Sequence, residues 1–465
     1  MRIHFWGTRG SIPTPGSETV RYGGNTACVE VRTRSGVLLI LDCGSGIRPL
    51  GHALLKEIEP PIHGTILLSH THWDHIQGLP FFGPAFAKQN RFTMYGPAGE
   101  RGLIETLEGQ MTFSYWPVGL DQFAAQMSYV NMNEGELHIE DVVIKSQYLN
   151  HPGVTQAYRI EADGAVLVYA TDHEPFTPQL YRSNARPGLI SSVLHEGDRR
   201  HAAFLSGADL IIHDAQYTED EYAAKHGWGH SPIPYVIEMA KLAGAEQLAL
   251  FHHDPERGDG ALDDLQESAS RMATVSSAGV HVFAATEGQT LLLERAIASD
   301  DQVSGKNGIS GIATGRAASQ GARVLLVEDD VVIHDLLTTI LEQDGYHLSH
   351  AFDGNDALRQ IHDDCPDLVI LDLGLPMVDG IEVLQHLRSD DDSTLRNVPV
   401  VLLTAETGED PTQTAFAAGA TDYMTKPFVS SQVRARIRHW LGRGNSTPHQ
   451  PGVLRAYPET IMRRG

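Results

Sequence analysis

No stretch constrains this chain more than His70-Thr71-His72-Trp73-Asp74-His75. The apolar run before it, Gly64 to Ser69, reads as a short buried strand, and Ile76-Gln77-Gly78-Leu79-Pro80 begins the next element, so the cluster sits on a strand-to-helix loop. A loop there aims several side chains at one point. His70 and His72, two apart, let two imidazoles converge on one cation, while Asp74 and His75 supply an oxygen and a nitrogen for a second. Any one of these histidines has a packing explanation; three of them with an aspartate inside six residues of a polar loop do not.

The same device recurs singly. His151 follows the strand-like run Ile144 to Asn150, Asp172 follows Val166 to Thr171, and His252 follows Leu248 to Phe251. Each alone reads as a structural residue; together they repeat an apolar strand that delivers one metal-capable side chain at its exit. His253, directly after His252, leaves the choice between the two open. Val37 to Leu41 is a further buried strand, and Asp42 at its end either orients the metal loop or simply closes a turn.

At 465 residues the chain exceeds one ordinary core, which predicts two domains. A formal charge of −24 argues against non-specific binding to a polyanion, so no stable nucleic-acid complex is expected, whereas a small anionic substrate held by metals is compatible. Cys28, Cys43 and Cys365 lack CxxC spacing and read as small buried hydrophobes. The N-terminus has no apolar run of signal-peptide length, nor does any stretch reach membrane-spanning length, so the expected location is cytoplasmic, with no membrane partner.

His70, His72, Asp74, His75, His151, Asp172 and His252, in that order, make residues 1–295 resemble the metallo-β-lactamase superfamily, and more narrowly its phosphodiesterase and ribonuclease Z branch. The resemblance implies an αββα sandwich, two divalent transition metals (zinc or manganese, or iron) on those seven residues, and Asp172 as the bridge between them. Ile212-His213-Asp214-Ala215-Gln216 resembles the branch's His-Glu-Ala-Thr segment with Asp for Glu, and Gly229-His230-Ser231 resembles its Gly-His-Ser-Thr segment with Pro232 for Thr. Tying the tRNA-maturing role to this chain is harder: those enzymes carry a long tRNA-gripping arm between the third and fourth motifs, and the short interval from His151 to Asp172 has no room for it. Oxygen-reducing diiron members usually carry Glu where this chain has His72, which disfavours a redox role.

Residues 296–321 are small and polar, as a flexible linker is. From Ala322 strand-helix repeats begin: Arg323 to Val327 ends in Glu328-Asp329-Asp330, Leu368 to Leu371 in Asp372, Val398 to Leu403 in Thr404, and Tyr423 precedes Lys426-Pro427-Phe428. In a parallel sheet the carboxyl ends of strands share one crevice, and carboxylates crowded there need a cation, with oxygen ligands favouring Mg²⁺. Residues 322–442 resemble a response-regulator receiver domain, a doubly wound (βα)5 fold. By that resemblance Asp372 accepts phosphate, Glu328, Asp329 and Asp372 hold Mg²⁺ with the carbonyl of Gly374, Thr404 and Lys426 bind the phosphoryl oxygens, and Tyr423 is the aromatic switch; the partner is a sensor histidine kinase. Residues 443–465 read as a poorly ordered tail.

The expected activity is hydrolysis of a small phosphodiester, a cyclic nucleotide first, under control of the receiver, in a homodimer. Asp74 and Asp172 serve the metals and the shared water, and His230 is the candidate acid for the departing alkoxide. His213 and Asp214, with Asp42, are expected behind the ligands, fixing their tautomers. Arg9 reads as a solvated surface residue more readily than as a phosphate contact, and Phe81, Phe82 and Trp116 as core more readily than as a stacking wall. The alternatives are a ribonuclease acting on RNA 3′ ends, and a metal-binding response regulator that works through protein contacts without catalysis.

Overall fold

The structure is a computed structural model, described over residues 1–97, 102–176, 196–274, 279–293, 321–405, 418–426 and 430–441. It divides into two compact units, one containing the strands up to residue 292 and the other the strands from residue 323. The expected linker, apart from Gly321, and the expected tail lie outside the described residues.

In chain order the first unit contains β1 (Arg2–Gly7), β2 (Cys28–Arg32), β3 (Leu38–Leu41), β4 (His63–Leu67), β5 (Arg91–Pro97), β6 (Gln126–Met132), β7 (Gly135–Ile139), β8 (Val142–Tyr148), β9 (Gln156–Ala162), β10 (Ala165–Ala170), β11 (Leu210–Asp214), β12 (Gln247–Phe251), β13 (His281–Ala284) and β14 (Thr290–Leu292). They form two seven-stranded sheets, ordered β14-β1-β2-β3-β4-β5-β6 and β13-β12-β11-β10-β9-β8-β7. Ile3, Phe5, Val29, Leu39 and Leu41 of the first sheet meet Ile144, Tyr158, Ile160, Leu167, Tyr169, Ile212 and Phe251 of the second in one core. Each outer face carries helices. Ile47, Leu50 and Leu54 of the helix Ile47–Glu57 cover the first sheet, and the helices Ile233–Ala243 and Asp259–Thr274 cover the second. The result is the expected αββα sandwich.

Strands that are sandwiched this way read as near-continuous apolar runs, as Leu38–Leu41 and Leu210–Asp214 do, buried at every position. β10, β11, β12 and β13 run parallel, and β8 shares their direction through two antiparallel steps across β9. Their carboxyl ends therefore open on one edge of the sandwich, where loops of several strands meet.

The second unit has β15 (Arg323–Val327), β16 (His347–Ala351), β17 (Leu368–Asp372), β18 (Val400–Ala405) and β19 (Asp422–Lys426), all parallel, in the order β16-β15-β17-β18-β19. Apolar clusters line both faces, as a doubly wound sheet requires. Among the described residues no helix is long and apolar enough to cross a membrane.

Candidate metal centre

Three residues of the site stand just past strand ends with left-handed backbones: Asp42 after β3 (φ 61°), Asp172 after β10 (φ 55°) and His252 after β12 (φ 59°). Non-glycine residues rarely adopt that conformation, and its cost is accepted where a side chain must be re-aimed at the end of a strand. His70 and His72 leave the loop after β4, and Asp74 and His75 lie in the short helix Trp73–Ile76.

The seven expected ligands come together in two groups that share Asp172. Around one carboxylate oxygen, His75 Nε2 lies 3.2 Å and His252 Nε2 3.4 Å from Asp172 Oδ1, and the same two nitrogens are 3.2 and 3.0 Å from Asp74 Oδ2. Around the other, His70 Nε2 and His151 Nε2 lie 3.6 and 3.8 Å from Asp172 Oδ2, with His72 Nδ1 3.1 Å from His151 Nε2. Asp172 thus turns one oxygen to each group.

At three of the five ligand rings, partners outside the groups decide which nitrogen faces inward. His75 Nδ1 donates to Asp42 Oδ2 at 2.8 Å, His252 Nδ1 to Gln216 Oε1 at 3.1 Å, and His151 Nδ1 to the Gly229 carbonyl at 2.9 Å. Those acceptors fix the Nδ1–H tautomer and leave the Nε2 lone pair pointing in. Asp42 is itself held by the Ser69 amide and hydroxyl and by the Tyr169 hydroxyl, at 2.7, 2.8 and 2.6 Å. His70 Nε2 is buried and has no hydrogen-bond partner. An orphaned lone pair beside inward-facing imidazoles and two carboxylates is the donor set a pair of divalent cations needs, so the residues present fit such metals.

Charge differs from ring to ring: at His75 burial opposes the imidazolium, but Asp74, Asp172 and Asp42 outweigh it and hold the ring well above its ordinary range. Burial pushes the His151 imidazole down to about 3, which keeps it neutral as a ligand must be. At Asp172 burial opposes the charged form, but His252, His75 and His70 outweigh it and hold the carboxyl well below the usual range.

His230 stands beside the cluster. Its ring stacks on His252 at 4.9 Å, and its Nδ1 is 2.9 Å from Asp214 Oδ2 and 3.9 Å from Asp172 Oδ2. Burial works against the imidazolium, yet Asp214, Asp172 and Asp74 push His230 up to about 9. Asp214, the last residue of β11, is anchored by the amides of His173 and Gln216 at 3.2 and 3.0 Å. Asp214, His230 and His252 are close enough to form a further potential cation group, though two of them already pair with each other.

Several expectations need correcting. His213 does not fix a metal-facing histidine. It precedes Asp214 on β11, where successive side chains point to opposite faces, and its Nε2 lies 2.8 Å from His201 Nε2, in a buried layer with His173. Arg9 is not a surface residue: it is fully buried, with Nε and Nη1 donating to the carbonyls of Gly23, Asp254 and Arg257. Between His252 and His253, it is His252 that faces the cluster; His253 donates from Nε2 to the Ala285 carbonyl at 2.8 Å. Phe82 is core, and the exposed Phe81 packs on Trp116 at 4.7 Å.

Sequence reasoning missed four supports. The Ser11 amide donates to Asp74 Oδ2 at 2.8 Å, Gln216 holds His252, Glu174 binds the loop that carries His230, and Tyr169 binds Asp42. The only legible signal was position, since Glu174 follows Asp172 by two and Gln216 follows Asp214 by two.

In the second unit Glu328, Asp329 and Asp372 form a fourth group able to hold a cation. Lys426 Nζ lies 2.7 Å from Glu328 Oε2 and 2.8 Å from Asp372 Oδ1, and the Gly374 amide donates to Asp372 Oδ2 at 3.1 Å. Thr404 is buried near the end of β18, which pairs with β17 through Asp372 and Leu403. Tyr423 lies in β19, and its side chain is outside the described residues.

A two-sheet sandwich with paired histidine and aspartate groups at one edge, followed by a doubly wound sheet with an acidic pocket, defines a two-domain class of protein. Residues 39–253 match the family model of the beta-lactamase superfamily domain, and residues 324–438 that of the response regulator receiver domain. The chain therefore carries a β-lactamase-superfamily domain and, after it, a response regulator receiver domain. Among curated proteins it is 39% identical over 121 residues to the phosphate regulon transcriptional regulatory protein PhoB of Escherichia coli, covering 26% of this chain and 52% of that one. The chain spans about half the length of the curated relatives it matches. Solved structures with likeness include the metallo-beta-lactamase fold protein YhfI from Bacillus subtilis, 20% identical over 62% of this chain and 98% of that chain (TM-score 0.44). Human tRNase Z, short form, is 19% identical over 63% and 99% (TM-score 0.41).

Proposed function

We propose that the N-terminal domain is a two-metal phosphodiesterase for a small phosphodiester, a cyclic nucleotide first, and that phosphorylation of Asp372 by a sensor histidine kinase controls it. One observation carries the reading: Asp172 presents its two oxygens to two separate groups, His70, His72 and His151 on one side and Asp74, His75 and His252 on the other, with the His230–Asp214 pair alongside. When bound there, divalent cations supply Lewis acidity toward phosphoryl oxygens and lower the pKa of water toward neutrality. Asp42, Gln216 and the Gly229 carbonyl hold the ligand rings in their inward tautomer throughout. His230, charged near neutral pH and tethered to Asp214 through Nδ1, keeps Nε2 to donate a proton to the departing alkoxide. Asp214 then stabilises the ring's orientation and returning charge. In the receiver, Lys426 contacts Asp372 from one side and the acids Glu328 and Asp329 would hold Mg²⁺.

The test is elemental analysis of the carefully metallated protein, joined to turnover with Mn²⁺ or Zn²⁺ on bis-para-nitrophenyl phosphate, cyclic mononucleotides, cyclic dinucleotides and single-stranded RNA. About two ions in the first domain and hydrolysis of the small diesters are expected. A stoichiometry of one that His75→Ala leaves unchanged would remove the two-metal mechanism, and cleavage confined to RNA would replace the substrate class.

A further inference from the structure

We propose that Lys225 and Trp228 form a recognition lip for a planar aromatic group, a nucleobase, on the substrate of this site; the inference rests on the phosphodiesterase reading and deepens it. The segment Tyr222 to His230 is held by one buried carboxylate. Glu174 Oε1 accepts from the Tyr222 hydroxyl at 2.9 Å and from the Gly227 amide at 2.7 Å, and Oε2 accepts from the Gly229 amide at 2.9 Å. Both amides flanking Trp228 are therefore fixed to the same side chain. Gly227 and Gly229 have φ of 85° and 86°, conformations that glycine adopts without a Cβ penalty. The carbonyl of Gly229 at the same time receives His151 Nδ1, so the backbone next to Trp228 is tied to the metal-facing cluster.

On this rigid mount Trp228 is left 58% exposed. A tryptophan kept for the core would be buried; one fixed by a buried carboxylate and still open to solvent is arranged to be covered by something else. Lys225 qualifies what that is. Its Nζ lies 4.4 Å from the Trp228 ring centroid and 5.5 Å from that of Tyr217, and the Tyr217 ring meets His230 edge-on at 5.9 Å. An ammonium and an indole thus stand together, one ring away from the proposed acid, on a chain of net charge −24. A planar base attached to an anionic phosphoryl group matches both: the base stacks on the indole while the ammonium attracts the anion.

The experiment uses the full chain loaded with Mn²⁺ and measures binding of adenosine 5′-monophosphate and of ribose 5-phosphate by calorimetry, so it does not depend on turnover. Trp228→Ala is expected to weaken the nucleotide by about tenfold or more, as loss of a stacked base does, and the sugar phosphate by less than about twofold. Trp228→Phe, which keeps an aromatic face, should restore most of the loss. Equal effects on the two ligands, or no effect on either, would overturn the lip, as would a change in solution mass with unaltered nucleotide affinity, which marks an interface between copies. Nucleotide binding through Trp228 in a protein that cleaves no phosphodiester would sink the phosphodiesterase reading and leave the lip standing.

Discussion

At the scale of single residues, the site is a set of imidazoles held by buried acceptors, and His230, like His75 with Asp42, has a carboxylate at Nδ1 instead of a neutral oxygen. Asp214 makes it a charged donor, whereas burial keeps His151 neutral in spite of its bond to the Gly229 carbonyl. Replacing His230 with alanine is expected to lower turnover by about 10² to 10⁴ on alkyl leaving groups and much less on nitrophenyl esters, which depart without a proton. Equal losses on both classes, measured as kcat, would mark the residue as structural. His253 makes a separate statement about pH. Burial pushes it down to about 3 from an ordinary 6.5, so the unfolded chain gains a proton below 6.5 that the folded chain refuses until about 3. The stability it contributes is complete above 6.5 and is lost as the pH falls through that window. In chelator, His253→Gln should therefore lose less stability than the parent between pH 7.5 and pH 5, by about 2 kcal/mol in urea unfolding. Parallel losses in the two proteins would show that His253 titrates normally.

Elements place these residues by means of strand exits and close backbone approach. Parallel strands of each sheet end together, and a left-handed residue past β10 and β12 of one sheet and past β3 of the other turns its side chain toward the site. Glycine then lets loops touch the ligands: a Cβ on Gly229 would lie 2.2 Å from His151 Nδ1, and one on Gly10 2.4 Å from His252 Nδ1. Gly229 and Gly227 share the same backbone conformation, but a Cβ on Gly227 meets nothing within 4 Å. Gly227→Ala is accordingly expected to show only backbone strain, about 1 to 2 kcal/mol, whereas Gly229→Ala adds displacement of His151. Metal content should separate them, with a deficit approaching one ion in Gly229→Ala alone. Equal metal content in the two variants would mean that the loop shifts without disturbing the ligand.

For the whole molecule, the question is what a receiver domain does on the same chain as the proposed hydrolytic site. Asp372 sits in its acidic pocket with Lys426 and Glu328, remote in sequence from the β-lactamase-superfamily domain, so the proposed phosphorylation would act on turnover only through an arrangement of domains or of chains that differs between the two states. An effect of at least several-fold is expected, because couplings of about 1 to 3 kcal/mol correspond to roughly 5-fold to 150-fold. Turnover and solution mass with and without beryllofluoride and Mg²⁺ provide the check, with Asp372→Asn as the unresponsive control. Identical rates and masses throughout would assign the receiver to a separate partner.

The chain's own order of residues determined the ligand types, their spacing and the strands that deliver them, because apolar runs ending in His or Asp survive in one dimension. It equally determined the acidic strand ends of the receiver, for the same reason. Tertiary structure alone decided which nitrogen of the His75 and His252 rings faces inward, since the acceptors come from positions as distant as Asp42 and Gln216. It also chose His252 over His253, through the left-handed backbone of His252 just past β12, and turned His213 away from the cluster, because its neighbour Asp214 points to the opposite face of β11. Arg9 was misread for a related reason: a guanidinium surrounded by three carbonyls is stable in a core, and those carbonyls belong to segments that meet it only on folding. The clamp of Glu174 on Gly227 and Gly229 is of the same kind, a carboxylate whose partners are backbone amides that carry no signature in the sequence.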